Sequence, residues 1–294
     1  MEIRQLKSFV TIANLQSFSL AAQDLGYAQS TITTQIQLLE KELGAKLFER
    51  LGHRITLTLK GNQLLPFAEQ ILKLSAEAKD AMVESDLPRG ILTIGVVESL
   101  CVMRLPKLIK EYRLQYPEVE IALKLGNYAD FFRSMRDNTM DIAFILEKRI
   151  NEEGFITIRK NPEAMVMLAA PDHLLSKKGV VYPEDLSGQS LILTEPGCSY
   201  RVQFESILHQ YSIKPRSILE TGNVHAIKEL TMSGLGISVL PLVAVTEECA
   251  AKRLFKLNWK GPTFEIFTHV VCHKNKWMSG PIKAFIEVIK EFDL

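Results

Sequence analysis

The chain has 294 residues, of which 47% are hydrophobic and 23% are charged, and its formal net charge is +1. This composition predicts a globular protein of two or three domains, and it excludes a uniformly basic nucleic-acid binder while allowing a local basic patch. Four scattered cysteines without a C-x-x-C pair exclude a disulfide framework, and the charged first ten residues are unlike a secretory signal, so we expect a cytoplasmic protein without metal, cofactor or membrane partner.

The first sixty residues predict a helix-turn-helix. Apolar spacing indicates a first helix from about Ile3 to Ala13. A short second helix follows, with Ser19 as its expected N-cap and Gly26 as the left-handed residue that ends it. A third helix begins within AQSTITTQI and ends at Gly44. Two short helices joined by a tight turn are typical of this motif.

The third helix has an unusual composition, because its β-branched threonines are poor helix formers. With Ile32 and Ile36 in the core, polar side chains project from the first half of the helix, which is the part that enters the major groove in this motif. Glutamine, serine and threonine can hydrogen-bond bases or phosphates. An ordinary solvated helix face is the alternative. The DNA-binding candidates are Gln29, Ser30, Thr31, Thr33, Thr34 and Gln37.

The stretch AKLFERLGHRITLTLKG predicts two short strands joined by a turn at Gly52. Positive charge at the tip comes from Arg50, His53 and Arg54. Such a hairpin can lie along phosphates or reach a minor groove, and these three residues are therefore further DNA-binding candidates. A surface hairpin without a nucleic-acid role is the alternative.

The segment SFSLAAQDLGYAQSTITTQIQLLEKELGAKLFERLGHRITLTLKG resembles the N-terminal signature of the LysR-type transcriptional regulators over a long, ungapped stretch. The resemblance implies a winged helix-turn-helix, a dimerising linker helix and an effector-binding domain over the rest of the chain. It places Gln29, Ser30, Thr33 and Thr34 where the recognition helix of the family meets DNA, and Arg54 in the wing. Double-stranded DNA, a small-molecule effector, RNA polymerase and further copies of the chain, as a homodimer or homotetramer, are the implied partners.

Three positions depart from the family pattern. The usual serine is Ala28, the frequent proline is Ser30, and the common arginine or lysine is Thr34. Loss of the long cation removes a contact from position 34. We therefore expect recognition to depend more on Gln29 and on the wing.

The next segment, from Thr58 as a plausible N-cap to about 86, reads as one long helix with Pro66 as its only breaker. Apolar and small residues recur in steps of four and three and predict a heptad seam that pairs with a second subunit. Packing against the body of the same chain is the alternative. The predicted dimerisation residues are Leu64, Ala68, Ile71, Ser75, Ala78 and Met82. The segment SDLPRG then reads as a hinge.

From residue 89 onward, short apolar strands alternate with helices, which predicts parallel α/β sheets. Two series of such elements predict an α/β effector domain with two lobes joined by two crossovers, similar to type 2 periplasmic binding proteins. The expected fold is therefore a winged helix-turn-helix domain (1–58), a linker helix and hinge (59–88) and an effector domain (89–294). Lobe I covers about 89–161 and 268–294, and lobe II about 162–267.

In such sheets the ligand lies at the carboxyl ends of strands, where loops lead into helix N-termini. Free N–H groups and a partial positive charge at these helix starts predict an anionic metabolite. Arg201 is expected to add positive charge. For each serine or asparagine taken alone, a simple N-cap role is the alternative. The effector-binding candidates are Ser99, Leu100, Gly126, Asn127, Glu147, Pro196, Gly197, Cys198, Ser199, Arg201, Gly222 and Asn223.

Other function classes fit the sequence less well. A transport receptor would have to be exported, which the charged N-terminal residues do not favour. An enzyme would need a recognisable catalytic motif, and the sequence shows no G-x-S-x-G, P-loop or metal-binding spacing. A thiol-based redox response is the closer alternative, because Cys198 is predicted to begin a helix, where the pKa of a thiol is lowered. No second cysteine follows within twenty residues to resolve an oxidised thiol, so direct metabolite binding is preferred.

Overall fold

The structure is a computed structural model that describes residues 1–51, 54–80 and 87–292. The N-terminal domain consists of three helices followed by a two-stranded antiparallel hairpin. These elements are α1 (Ile3–Leu15), α2 (Phe18–Asp24), α3 (Gln29–Leu43), β1 (Phe48–Leu51) and β2 (Arg54–Leu57). Gly26 and Gly44 both have the left-handed φ expected of residues that end helices, at 69° and 65°.

The N-cap of α2 is Ser17, and the prediction of Ser19 was wrong. Ser17 has an extended backbone, and its hydroxyl accepts a hydrogen bond from the Leu20 amide at 3.3 Å. Ser19 already lies within the helix, where its backbone is helical and cannot adopt the cap conformation.

The linker helix α4 (Leu59–Asp80) begins at the predicted cap, since the Thr58 hydroxyl accepts a hydrogen bond from the Gly61 amide at 3.0 Å. Its early turns pack against α1, and Ala68 is completely buried in the core of the N-terminal domain. Leu64 and Ile71 pack partly against the same core. Ala68 therefore contacts its own chain, and its assignment to a dimer seam was wrong.

The other three predicted seam residues are Ser75, Ala78 and Met82. Ser75 is half-buried and Ala78 is exposed, while Met82 lies outside the described residues. Apolar residues are exposed on a different side of α4, where Phe67 and Leu74 are 61% and 62% exposed. The two positions are seven apart in the sequence, so the side chains lie on one face of the helix, two turns apart.

The C-terminal domain has two lobes, each built on a five-stranded sheet with the orders β4-β3-β5-β12-β6 and β11-β7-β10-β8-β9. Lobe I first contributes β3 (Gly90–Val96), α5 (Glu98–Met103), α6 (Leu105–Gln115), β4 (Val119–Leu125), α7 (Tyr128–Arg136), β5 (Ile142–Glu147) and β6 (Phe155–Glu163). Lobe II contributes β7 (Met165–Ala169), β8 (Ser190–Leu193), α8 (Ser199–Gln210), β9 (Ser217–Glu220), α9 (Val224–Met232), β10 (Ile237–Pro241), α10 (Thr246–Ala250) and β11 (Phe255–Lys256). The chain returns to lobe I with β12 (Ile266–His273) and α11 (Gly280–Glu291).

The two sheets are mixed, whereas the sequence predicted parallel ones. In lobe I, β12 runs antiparallel to β5 and β6, and in lobe II, β7 runs antiparallel to β10 and β11. The strands β6 and β12 flank the two crossovers, at Ala164 and between Lys256 and Ile266. Strands that carry the chain between lobes need no helical return connection, so they can pair antiparallel to their neighbours.

A buried ionic cluster joins the linker helix to lobe I. Asp141, which is 1% exposed, accepts a hydrogen bond from the Thr93 backbone amide at 2.8 Å. Its other carboxylate oxygen lies 2.5 Å from Lys73 Nζ of α4 and 2.7 Å from Lys276 Nζ. Burial raises the pKa of Asp141, but the two lysines more than offset this and hold the pKa below its usual value. We call Asp141, Lys73 and Lys276 the Asp141 cluster.

Candidate functional site

The first half of α3 exposes the polar side chains that the sequence predicted. The helix rests on the core through Ile32, Ile36 and Leu39, which are at most 3% exposed. The opposite side carries Gln29, Ser30, Thr31, Thr34 and Gln37, all exposed, with Thr33 half-buried beside them. We call these six residues the α3 polar face.

The two threonines at positions 33 and 34 use their hydroxyl protons within the helix. Thr33 Oγ1 donates to the carbonyl of Gln29, and Thr34 Oγ1 donates to the carbonyl of Ser30, each at 2.9 Å. In this arrangement these hydroxyls can accept a hydrogen bond but have no proton left to donate. Toward a DNA base they would present an acceptor and a methyl group, which suits thymine or an amino group.

Buried polar contacts fix the orientation of α3. The Ser8 hydroxyl of α1 donates to the buried Gln35 side chain. Glu40 is 8% exposed, and its carboxylate accepts from the Leu47 amide at 2.9 Å and from Lys46 Nζ at 2.6 Å. The first contact holds α3 to α1 and the second holds it to the hairpin, so the α3 polar face is set on a rigid support.

The predicted cationic hairpin tip is only partly described. Arg50 is the penultimate residue of β1 and pairs with Ile55, and Arg54 is the first residue of β2. His53 and the predicted turn residue Gly52 lie outside the described residues. The positions of the two arginines near the connected ends of the strands keep the hairpin as a candidate for contacts with the DNA backbone.

A cavity of about 310 Å³ lies between the two lobes, at the carboxyl ends of their strands. Lobe I lines it from the ends of β3, β4 and β5, and lobe II lines it from the loops after β8 and β9. Nine of the predicted effector residues line it: Ser99, Gly126, Asn127, Glu147, Pro196, Gly197, Cys198, Ser199 and Gly222. We call this cavity the inter-lobe cleft.

Three of the predicted effector residues do not line the cleft. Leu100 is completely buried in the core of lobe I. Consecutive side chains of a helix point in different directions, so Leu100 faces the core while Ser99 faces the cleft. Asn223 accepts a hydrogen bond from the Ala226 amide at 2.7 Å and acts as the N-cap of α9. Arg201 lies two residues after Ser199 on α8, so its side chain points to the opposite side of the helix.

Arg201 is engaged within lobe II. Its guanidinium donates to Glu205 at 2.8 Å, to Glu220 at 2.7 Å and to the carbonyl of Thr194. Burial lowers its pKa, but the hydrogen bonds and charges of the two glutamates raise the pKa above its usual value. The guanidinium is thus a structural cation, and the prediction that it adds charge to the effector site was wrong.

The Ser199 hydroxyl links the two lobes. It donates to the carbonyl of Leu146 at 2.6 Å, from the first residue of α8 in lobe II to β5 in lobe I. Ser99, by contrast, is 5% exposed and makes no hydrogen bond with the described residues, so its hydroxyl stays available inside the cleft. The two serines therefore have different roles.

Two of the helix starts around the cleft, those of α7 and α9, already have acceptors supplied by the chain. At α7, Asn127 Oδ1 accepts from the Asp130 amide at 3.1 Å. At α9, Glu98 Oε2 reaches across from lobe I and accepts from the Val224 amide at 2.9 Å. At α8, by contrast, the N-cap residue Cys198 makes no side-chain cap hydrogen bond. The occupied starts of α7 and α9 weaken the argument for an anionic ligand, which assumed free N–H groups at every helix start.

The Cys198 thiol is held in its protonated form. Burial raises its pKa, and the nearby Thr194 hydroxyl and Arg201 backbone amide offset this only in part. Burial thus outweighs the lowering effect of the helix start, and the net shift of the thiol pKa is upward, contrary to the sequence-based expectation. A protonated thiol is a poor nucleophile toward peroxide, so this geometry gives the redox alternative no support.

Sequence reasoning missed five polar residues that line the cleft: Glu98, Tyr128, Thr194, Glu195 and Tyr200. Four of them are immediate neighbours of predicted residues. Glu98 precedes Ser99 and Tyr128 follows Asn127, while Glu195 precedes Pro196 and Tyr200 follows Ser199. Examining the whole loop at each strand end, in place of its serines and asparagines alone, would have found these four.

The described part of the chain offers neither a helix suited to cross a membrane nor a metal-binding cluster. None of its helices combines the length and apolar character that crossing a membrane requires. Nor do any three or more of its His, Cys, Asp or Glu side chains gather in a way that could hold a metal ion.

Comparison with known proteins covers both regions. Residues 3–62 match the family described as bacterial regulatory helix-turn-helix protein, lysR family, and residues 85–293 match the LysR substrate binding domain. The HTH-type transcriptional regulator YwqM of Bacillus subtilis (strain 168) is 40% identical over 293 residues, with 99% of each chain covered. GltR of the same strain, also an HTH-type transcriptional regulator, is 35% identical over 291 residues, covering 99% of this chain and 97% of GltR.

Solved structures agree on the fold. The probable transcriptional regulator PA0477 from Pseudomonas aeruginosa covers 100% of this chain and 97% of its own, with a TM-score of 0.76 at 16% identity. Full-length CbnR in complex with its target DNA covers 99% of both chains, with a TM-score of 0.72 at 22% identity. These likenesses confirm the helix-turn-helix domain followed by a two-lobed effector domain. Together with the two family matches, they show that the chain belongs to the LysR family of DNA-binding transcriptional regulators.

Proposed function

We propose that this regulator controls its promoters in response to a small molecule bound in the inter-lobe cleft. The observation that carries the proposal is the cleft itself, which takes residues from both lobes and has the size of a small-ligand site. The α3 polar face would read the operator, with Gln29 as the main base contact. Arg50 and Arg54 would contact the DNA backbone. This activity belongs in the cytoplasm, with RNA polymerase as a further partner, and requires no catalytic residue.

The proposal includes a dimer that pairs through the exposed apolar face of α4. Phe67 and Leu74 project from that face, and Ala78 is exposed one turn further on. Exposed large apolar side chains along one helix face are typical of a subunit contact. Paired DNA-binding domains would then read two half-sites of an operator.

Two contacts provide a physical route from the cleft to the DNA-binding domain. The Ser199 to Leu146 hydrogen bond joins the lobes at the cleft, and the Asp141 cluster joins lobe I to α4. A ligand that favours one arrangement of the lobes would bias the position of lobe I relative to α4. Such a coupling typically changes operator affinity by about 5- to 150-fold.

Filling the cleft tests the proposal. Ala129 is exposed on the first turn of α7 and lines the cleft, so Ala129→Trp would occupy ligand space without disturbing the core. Ala251→Trp, exposed at the end of α10, is the matched control. Thermal-shift screening of amino acids, amines, small acids and sugars would identify ligands of the wild-type protein, and fluorescence anisotropy would then measure operator affinity.

A stabilising compound should change the operator affinity of the wild-type protein and of Ala251→Trp, and should have no effect on Ala129→Trp. If Ala129→Trp responds like the wild type, the effector does not bind in the cleft, and the proposal is wrong.

A further inference from the structure

The charged groups of the inter-lobe cleft are all negative. Glu98 comes from α5 and Glu147 from the end of β5, both in lobe I, and Glu195 comes from the loop before α8 in lobe II. No lysine, arginine or histidine is found among the described residues that line the cleft. Within the described part of the chain, none of the three carboxylates forms an ion pair.

This uncompensated charge is set in a concave, partly dry environment. Burial raises the pKa of Glu147, and the Lys148 backbone amide at 2.8 Å offsets this only in part. When several carboxylates lie in a cleft whose walls have a low dielectric constant, their negative potential is concentrated inside the cleft. Glu98 and Glu147 are half-buried and Glu195 is exposed, and a cation from outside the chain would reduce the repulsion among the three carboxylates.

Glu195 and Glu147 are the carboxylates least committed to the fold. Glu98 caps α9 in the other lobe through the Val224 amide, whereas Glu147 accepts only from the amide of the next residue, Lys148. The Glu195 side chain is exposed toward the cleft, and its carboxylate makes no hydrogen bond with the described residues. A methyl group at Gly222 would lie 3.2 Å from Glu195 Oε2, so the missing side chain there leaves room for this carboxylate. Glu147 and Glu195 lie on opposite lobes, and one cation between their carboxylates would draw the lobes together.

The other lining groups also suit a cation. Tyr128 and Tyr200 both line the cleft, and aromatic rings attract ammonium and guanidinium groups. Thr194 is 4% exposed, and its hydroxyl oxygen makes no hydrogen bond of ordinary geometry, although the Cys198 thiol and the Tyr200 hydroxyl are near it. An N–H donor of a ligand could satisfy this buried oxygen. A volume of about 310 Å³ fits a small organic molecule, since a water molecule takes up about 30 Å³.

We infer that the effector carries a protonated amine or guanidinium group, which Glu147 and Glu195 bind from opposite sides of the cleft. The inference rests on the proposed effector role of the cleft. It replaces the anion expected from helix N-termini, because the starts of α7 and α9 already have acceptors and the three carboxylates have no ion-pair partner among the described residues.

Matched probes of opposite charge test the inference on the full-length protein. The cationic probes are 1,4-diaminobutane, agmatine and L-arginine methyl ester. Hexanedioate places two carboxylates on the same four-carbon spacer as the diamine, 1,4-butanediol is the neutral counterpart, and calcium chloride tests for a bare ion. At least one organic cation should raise Tm and bind in calorimetric titration, and the dianion and the diol should not. If none of the three organic cations raises the Tm or binds, or if calcium raises the Tm equally, the inference is overturned.

Variants show whether the binding uses the named carboxylates. Glu147→Gln and Glu195→Gln should each weaken binding of the best cation at least tenfold. Glu153→Gln, exposed in the loop before β6, is the matched control and should leave the Kd unchanged. Unchanged binding in both cleft variants would overturn the inference.

A readout without ligand separates binding from a structural role. Neutralising a carboxylate that has no ion pair among the described residues should leave the Tm of the free protein unchanged or raise it. In Glu147→Gln the side chain keeps an oxygen that can accept from the Lys148 amide, so Glu147→Gln and Glu195→Gln should not be destabilised. A clear loss of Tm in both would show that the carboxylates support the fold, contrary to the inference. If hexanedioate binds instead, and Ala129→Trp abolishes that binding, the cleft is the effector site and only the charge class is wrong.

Discussion

At the scale of single residues, Gln29 combines exposure with an uncommitted amide. It is the first residue of α3, and its side chain makes no hydrogen bond with the described residues. Thr33 and Thr34 have donated their protons to the carbonyls one turn back. Gln29 can therefore both donate to and accept from an adenine edge, whereas the two threonines cannot donate.

The first prediction concerns this contrast. Gln29→Ala should weaken operator binding by about 1 to 3 kcal/mol and relax sequence preference, because a bidentate base contact is lost. Thr34→Val keeps the methyl group and removes a hydroxyl that bonds its own helix, so it should weaken binding much less. Fluorescence anisotropy on the operator and on scrambled DNA measures both, with exposed Gln210→Ala as the control. Equal losses for Gln29→Ala and Thr34→Val would contradict the assignment.

At the scale of secondary-structure elements, α4 has two apolar faces with different partners. Ala68 faces the core of the DNA-binding domain and is completely buried, while Leu74 is 62% exposed. A heptad pattern read from the sequence does not distinguish a face that packs on its own chain from one that packs on a second copy. The structure makes that distinction through burial.

The second prediction uses the same substitution on both faces. Leu74→Asp should give monomers with an unchanged Tm for the DNA-binding domain, since the charge stays exposed when the partner is lost. Ala68→Asp should instead lower stability by about 3 kcal/mol or more, because it buries an unpaired charge. Light scattering and thermal unfolding followed by circular dichroism measure the two effects. A dimeric Leu74→Asp protein would place the subunit contact elsewhere.

Elements with clear boundaries were predictable from sequence, and irregular ones were not. The strands β4 and β12 begin and end where the apolar runs VEIALKL and IFTHVVCH do, because both are bounded by turn residues. The sequence did not predict the strand β6, FITIRKNPE, because its charged residues, asparagine and proline obscure the alternation of apolar and polar residues. Cleft residues at strand ends were predictable from the α/β topology. Two features of the site could not be predicted: the burial of Leu100 and the ion pairs of Arg201 with two glutamates. Both depend on tertiary packing, which cannot be read from a pattern of strands and helices.

At the scale of the whole molecule, the Asp141 cluster ties the linker helix to the effector domain. Lys73 is on α4, Asp141 precedes β5, and Lys276 lies between β12 and α11, so three distant segments share one carboxylate. Removing the carboxylate would take away the buried negative charge to which both lysines are paired. This contact is the point at which lobe I could influence the DNA-binding domain.

The third prediction is a dependence of stability on pH. Because the folded pKa of Asp141 lies below its ordinary value of 3.8, the cluster contributes fully above about pH 4 and its contribution is lost as the pH falls through the folded pKa. Asp141→Asn should lose about 3 kcal/mol or more at pH 7, and its stability should fall less steeply below pH 4 than that of the wild type. Urea unfolding between pH 2.5 and 7 measures this, with Asp24→Asn as the exposed control. Parallel pH profiles for wild type and Asp141→Asn would contradict the role of the cluster.

Selection of binding sites from random duplex DNA tests the central claim most directly, because it needs no knowledge of the promoter or the effector. The wild-type protein should enrich a sequence with two related half-sites in inverted orientation, separated by one or more helical turns of about 10 base pairs. Gln29→Ala should enrich a more degenerate sequence at both half-sites, and Leu74→Asp should lose the fixed half-site spacing. Failure of the wild-type protein to enrich any paired sequence, or an identical sequence selected by Gln29→Ala, would contradict a dimeric regulator that reads DNA through α3.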